Sequence, residues 1–318
     1  MKREILAAAV GAVAGAAAAR GGYAALRRYP PVSEQTWLRT NHRGEPVTLL
    51  EGPALAVGAI VGVLAQAGLG PARSGRARPG AALAVAGAGA AAFGVYDDLA
   101  GSGDRRGFRG HLGALRHGEV TTGTVKLGGI GVTGIVSAAL AGGSPGDMVI
   151  NAGLIAGGAN LLNLFDLRPG RAIKVGVASG TLIGAAGSRN GSGAGVAAPL
   201  AAALALVPED LGERAMLGDC GANALGAMLG AAAAGLPRPT RIALLAGIAG
   251  LTAASEKVSF TKVIERTPAL RWLDMLGRRA ADPEPLVLIP ARHRDAMASA
   301  GAGTAARSEI TDPPPTRE

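Results

Sequence analysis

Long runs of small apolar residues alternate with short polar, Arg-bearing segments along this chain. The apolar runs cover about 4–26, 49–70, 79–96, 124–142, 147–165, 171–187, 192–207, 221–235 and 241–255. Runs of this kind predict helices, since roughly 17–25 apolar residues are needed to span hydrocarbon as a helix. They are rich in Ala, Gly and Val, which suits close helix–helix approach in a bilayer. Pro53 falls near the start of its run, where a missing N–H costs little. The pattern therefore predicts an all-α fold, a polytopic transmembrane bundle of about nine to ten helices. The bundle would occupy 1–256. A basic amphipathic cytoplasmic tail would follow over 257–297, and 298–318, with Pro313, Pro314 and Pro315, reads as disordered.

Composition agrees with this picture. A mean hydropathy of +0.29 and few charges argue against a soluble domain. The net charge of +9 comes from Arg and Lys lying between apolar runs, which points to orientation and lipid headgroups. Aromatic residues make up only 3% of the chain, which argues against nucleic-acid binding by base stacking. The single cysteine, Cys220, rules out an intrachain disulfide. Lys2 and Arg3 ahead of the first apolar run resemble a signal peptide, but a retained helix fits better because later runs already force membrane insertion.

Acidic and amide residues mark particular run ends. Asp97 and Asp98 close the run at 79–96, Asn160, Asn163 and Asp166 end the run at 147–165, and Asp219 follows the run at 192–207. Parity sends these three runs in the same direction, so their ends share one membrane face with the basic loops 27–47 and 99–123. The positive-inside rule makes that face cytoplasmic, in the plasma membrane. Acids at a membrane boundary are candidates for function. Carboxylates and amides suit Mg2+, which takes oxygen ligands and is shared with substrate phosphates. Asn160, Asn163 and Asp166 recur at helical spacing on one face. Asp219 lies between glycines ahead of a helix, where backbone and helix N-terminus favour phosphate. Metal-assisted phosphoryl transfer to or from a lipid-borne group fits this set. Simpler roles stand beside it: the asparagines bonding neighbouring helices, Asp219 capping the next helix, and Cys220 filling space.

At these clusters the chain resembles the polyprenyl-phosphate N-acetylhexosamine-1-phosphate transferases. The resemblance rests on G-V-Y-D-D at 94–98, N-L-L-N-L-F-D at 160–166, L-G-D-C-G-A-N-A-L-G at 217–226 and N-H-R-G-E-P-V at 41–47. It implies an integral membrane enzyme that moves a sugar-1-phosphate from a UDP-amino sugar to polyprenyl phosphate. The products would be polyprenyl-pyrophosphoryl sugar and UMP, for cell-wall or surface polysaccharide synthesis. Under the resemblance, Asp97 would act as base or positioning carboxylate for the lipid phosphate and Asp98 would assist it. Asp219 would bind Mg2+, and Asn163 and Asp166, supported by Asn160, would hold the uridine-diphosphate end. A homodimer is one assembly it allows.

The chain also departs from the family pattern. Gly101 stands where the family often has Lys, Pro169 replaces a second acid, and the family's His-rich loop is not evident. Arg105, Arg106, Arg109, Arg168 or Arg171 would be the source of the missing positive charge. The alternative is a catalytically decayed relative that binds lipid phosphate or serves as a scaffold. An intramembrane prenyltransferase would need closely repeated acids in two segments, and Asp166 is alone in its segment. No half-to-half repeat suggests a transporter.

Overall fold

Small residues set how closely the helices of this chain approach. A computed structural model describes residues 2–70, 78–101, 117 and 120–279. α1 (Lys2–Arg28) packs along α3 (Glu51–Leu69). A Cβ placed on Gly62 would stand 2.4 Å from the Gly11 carbonyl oxygen, so the two backbones meet directly. Such small-residue contacts substitute for the hydrophobic effect, which does not drive association between helices in lipid.

Between α1 and α3 lie the short α2 (Glu34–Trp37), N-capped by Ser33, and a hairpin of β1 (Leu38–Thr40) with β2 (Pro46–Thr48). The strands are antiparallel, with Arg39 opposite Val47. α4 (Pro79–Ala100) carries the acid pair in its last turns. α5 (Thr122–Ala141) starts on a Thr121 cap, and α6 (Pro145–Phe165) on a Ser144–Asp147 capping box, which satisfies otherwise orphaned N–H groups. α7 (Arg171–Gly187) leads through two short 3-10 turns into α8 (Ala197–Leu211). α9 (Gly218–Ala233) and α10 (Arg238–Ser255) complete the bundle, and α11 (Phe260–Arg266) and α12 (Pro268–Met275) follow.

The all-α class is as expected, but the number of spans is smaller. Six helical segments among the described residues are long and apolar enough to cross a bilayer, or seven if the bent pair α10–α11 counts as one. The expected nine to ten included α7 and α9, which are only 17 and 16 residues long. At 1.5 Å per residue α9 reaches about 24 Å, short of a hydrocarbon core of about 30 Å. Its apolar character has a different origin. α9 packs between α4 and α6 and also touches α3 and α7, and nearly all its residues are buried. A helix that is apolar all round belongs in a core, and hydropathy alone does not separate that case from a lipid-facing span. α10 is the reverse case: Arg241 is its buried residue, while Ile242 and Leu251 are exposed on its outer side.

The segment from 257 to 279 folds against the bundle. The Arg171 guanidinium grips Asp274 of α12 with Nε–Oδ1 at 2.7 Å, and Phe165 stacks on Phe260 at 5.0 Å. Residues 280–297 of the expected tail and the stretch 298–318 lie outside the described residues.

Candidate active site

Lys126, one turn into α5, joins two helix ends that are distant in sequence. Its Nζ lies 2.6 Å from Asp97 Oδ2 on α4 and 2.5 Å from Asp219 Oδ2 on α9. The three side chains are largely buried, and the two carboxyls are within hydrogen-bonding reach of each other. Two carboxylates this close repel unless a proton or a cation lies between them. Lys126 provides the cation, from a helix whose first turn carries no acid.

Asp98 points elsewhere. Its Oδ1 accepts from the Asp219 backbone N–H at 3.0 Å and its Oδ2 from the Cys220 N–H at 2.9 Å. A carboxylate at a helix N-terminus satisfies orphan donors and meets the positive end of the dipole. α9 has no cap from its own N-cap residue, Leu217, so Asp98 serves in its place. Gly218 makes this possible: it sits at φ +59°, and a Cβ there would come within 3.1 Å of both Asp98 oxygens. The neighbouring helices are equally close, since a Cβ on Gly94 would meet the Asp219 carbonyl oxygen at 2.5 Å.

The hairpin steadies the approach to α9. Arg39 donates to the Asp98 carbonyl oxygen. In the tip, Asn41 Oδ1 accepts from the backbones of Arg43 and Glu45, and Asn41 Nδ2 and Arg43 Nε hold the Glu213 carboxylate at 3.1 Å. Thr48 bridges to Ala215, just ahead of α9. Glu213 adopts φ +56°, an uncommon conformation for a non-glycine residue, and these partners fix it. The N-H-R-G-E-P-V segment is thus built into the same end of the bundle as Asp219.

A second group of acids lies deeper. Asp166 caps the end of α6, is 7% exposed, and is reached by the Gly218 backbone N–H. Burial pushes its carboxyl well above the usual carboxylate range, and Asp210, Asp219 and Asp98 add to the rise. Glu51 at the start of α3 is 0% exposed and Asp210 near the end of α8 is 1% exposed. Asp210 Oδ1 accepts from the Gly170 N–H at 2.9 Å. Both Glu51 oxygens, Asp210 Oδ2 and Asp166 Oδ2 are buried without a hydrogen-bond partner.

The structure therefore brings Asp97, Asp98, Asp166 and Asp219 to one end of the bundle. Asn160 and Asn163 are half-buried on α6 and make no side-chain hydrogen bond among the described residues. Arg171 is buried and held by Asp274 and Thr261, which turns its charge toward α12. Burial alone would raise the Asp274 carboxyl, but the Arg171 hydrogen bonds and surrounding cations outweigh it and hold it low. Arg168 lies 3.7 Å from Glu265. Arg105, Arg106 and Arg109 lie outside the described residues.

Sequence reasoning passed over Lys126, Glu51 and Asp210. Lys126 had a usable signal, because a lone charge inside an apolar run is as costly as the acids that were singled out. Asp210 sits among polar loop residues, and Glu51 stands at the very start of its apolar run, where a helix end meeting water accounts for it. No protein-family model fits this sequence, and no curated protein is significantly similar to it.

Proposed function

We propose that this protein is a multi-pass membrane transferase that moves a sugar-1-phosphate from a UDP-amino sugar to polyprenyl phosphate. The observation that supports it best is the Asp97–Lys126–Asp219 contact, in which three separate helices bring two carboxylates and an ammonium together. Electrostatic placement of this kind accounts for most of phosphoryl-transfer catalysis.

In the reaction, an oxygen of the lipid phosphate attacks the phosphorus bonded to the sugar. A new P–O–P link forms, the old pyrophosphate P–O bond breaks, and UMP leaves with its electron pair. Lys126 would neutralise charge on the phosphates. Asp97 would position the attacking phosphate and take any remaining proton from it, a small task for a monoester largely ionised at neutral pH. Asp98 would act through α9, keeping its N-terminus and Asp219 in place. Asn160, Asn163 and Asp166 would face the uridine-diphosphate end. In this reading the catalytic end faces the cytoplasm from the plasma membrane.

The donor set also suits Mg2+. No group of three His, Cys, Asp or Glu residues among the described residues would hold a metal ion by itself. Asp97 and Asp219 nevertheless present hard oxygen donors that already converge on one cation. Mg2+ characteristically takes one or two carboxylates and completes its shell with water and substrate phosphates. Asp97 and Asp219 would hold the ion, and when bound it would offset charge on the leaving UMP.

A second reading has its own observation. Lys126 satisfies both carboxylates, as a purely structural ion pair would in a relative that binds lipid phosphate without turnover. Purified protein given polyprenyl phosphate, a panel of UDP-sugars and Mg2+ separates the two. Release of UMP that Asp219→Ala abolishes is the expected result. A folded protein that releases none with any sugar would establish the second reading.

A further inference from the structure

α12 is amphipathic the wrong way round for a helix packed on a protein. Its buried residue is Asp274, held by Arg171 and by Arg278 at 3.0 Å, while Lys174 Nζ donates to the Asp274 carbonyl oxygen at 2.6 Å. Trp272 and Leu276 lie two residues to either side of Asp274, which at about 100° per residue puts them on the opposite face. They are 63% and 54% exposed, and Leu273 and Met275 beside them are exposed too. A continuous apolar surface of this kind marks an interaction site.

The path of the chain indicates what covers it. α10 and α11 together are long and apolar enough for one broken span, α10 leaves Ile242 and Leu251 exposed, and α11 turns from it by 93°. With α10 crossing the bilayer, α11 at right angles to it runs along the membrane plane, and α12 continues directly from its end. Lys257, Lys262, Arg266 and Arg271 are exposed along this stretch. Basic residues beside Trp and Leu are the composition of helices lying in the headgroup–acyl boundary.

We infer that α12 rests its Trp272–Leu276 face in the headgroup–acyl boundary of the bilayer, while the Arg171–Asp274 pair clamps its polar face to the bundle. Phospholipid is the partner, with the basic residues of α11 and α12 meeting its phosphates. The clamp starts from α7, whose N-cap Gly170 also donates to Asp210, so the interfacial helix is tied to the buried acids through one short segment. The inference depends on the bundle spanning a membrane and not on the transferase reading.

Full-length protein and its Trp272→Phe variant, each reconstituted in phosphatidylcholine–phosphatidylglycerol vesicles, test this by difference fluorescence. Trp272 is 63% exposed and Phe keeps an aromatic ring there, so the replacement leaves the bundle intact; Trp37, the other tryptophan, is buried and cancels in the difference. The Trp272 emission is expected to be quenched more strongly by lipids brominated near the carbonyl than near the methyl end. The depth should be about 5–10 Å into the headgroup–acyl boundary. Emission quenched by aqueous iodide but not by bromolipid would place this face in water and overturn the inference. Emission untouched by either quencher would show that protein covers it, a second copy or the rest of this chain, and would equally overturn it.

Discussion

Two groups of carboxylates lie at the same end of this bundle, in opposite states. Asp97 and Asp219 are bridged by Lys126 at 2.6 and 2.5 Å. Glu51, Asp166 and Asp210 lie deeper, and each keeps at least one buried oxygen without a partner. The contrast separates a pair of partly exposed carboxylates bridged directly by a cation from buried acids that no cation hydrogen-bonds. A buried unpaired charge is costly enough that such a group gives up its charge or finds a partner. For Asp166 the outcome is clear, since burial drives its carboxyl toward the protonated form. Chemistry that needs negative charge therefore belongs to the bridged pair; Glu51 and Asp210 have their place in the packing, and Asp166 would meet a substrate as a neutral hydrogen-bonding group.

The largest test of this contrast is catalytic. Asp219→Ala should lower UMP release by about 10²–10³-fold, the scale of losing one electrostatic contact to a reacting group. Glu51→Gln, at a fully buried position that makes no hydrogen bond to the Lys126 bridge, should leave turnover within a few-fold of wild type. Equal losses from both substitutions would erase the distinction.

Removing the cation comes next. Lys126→Met leaves Asp97 and Asp219 facing each other with nothing between them, and breaking a buried pair in this way costs about 3 kcal/mol. Thermal unfolding in a fixed lipid–detergent mixture measures it. Adding Asp97→Asn to Lys126→Met should recover part of the loss, because the residual repulsion disappears. If the double variant is no more stable than Lys126→Met alone, the like-charge account of the bridge is wrong.

The smallest effect sharpens the other side of the comparison. The Asp166 carboxyl is raised above its unfolded value, so its stability contribution is full below about pH 4 and declines as pH rises toward the folded-state value. Asp166→Asn keeps an oxygen for the Gly218 N–H and removes the titration. The variant should therefore lose less stability on alkalinisation than wild type, by about 1.4 kcal/mol per pH unit within the window. Parallel stability–pH curves for the two proteins would mean that Asp166 is not held protonated.

Much of this architecture can be read from the residues. The apolar run at 79–96 became α4 at Pro79–Ala100, and the run at 147–165 became α6 at Pro145–Phe165. Asp97 and Asp98, by contrast, are indistinguishable as neighbours in a sequence. One faces Lys126 and the other caps α9, because successive helix positions point about 100° apart. Arg171 looked like a phosphate ligand as a basic residue near the acids, yet Asp274 claims it from 103 residues away.

What the sequence determined by itself is the set of helices. In hydrocarbon each backbone group must find its partner within its own segment, so a long apolar run forms a helix whatever surrounds it. Tertiary structure alone decided which charges meet. Lys126 and Asp219 are 93 residues apart, and their attraction depends on a distance that exists only after α4, α5 and α9 have packed. It also decided that α9 is buried by protein and not by lipid, since both kinds of burial select the same residues.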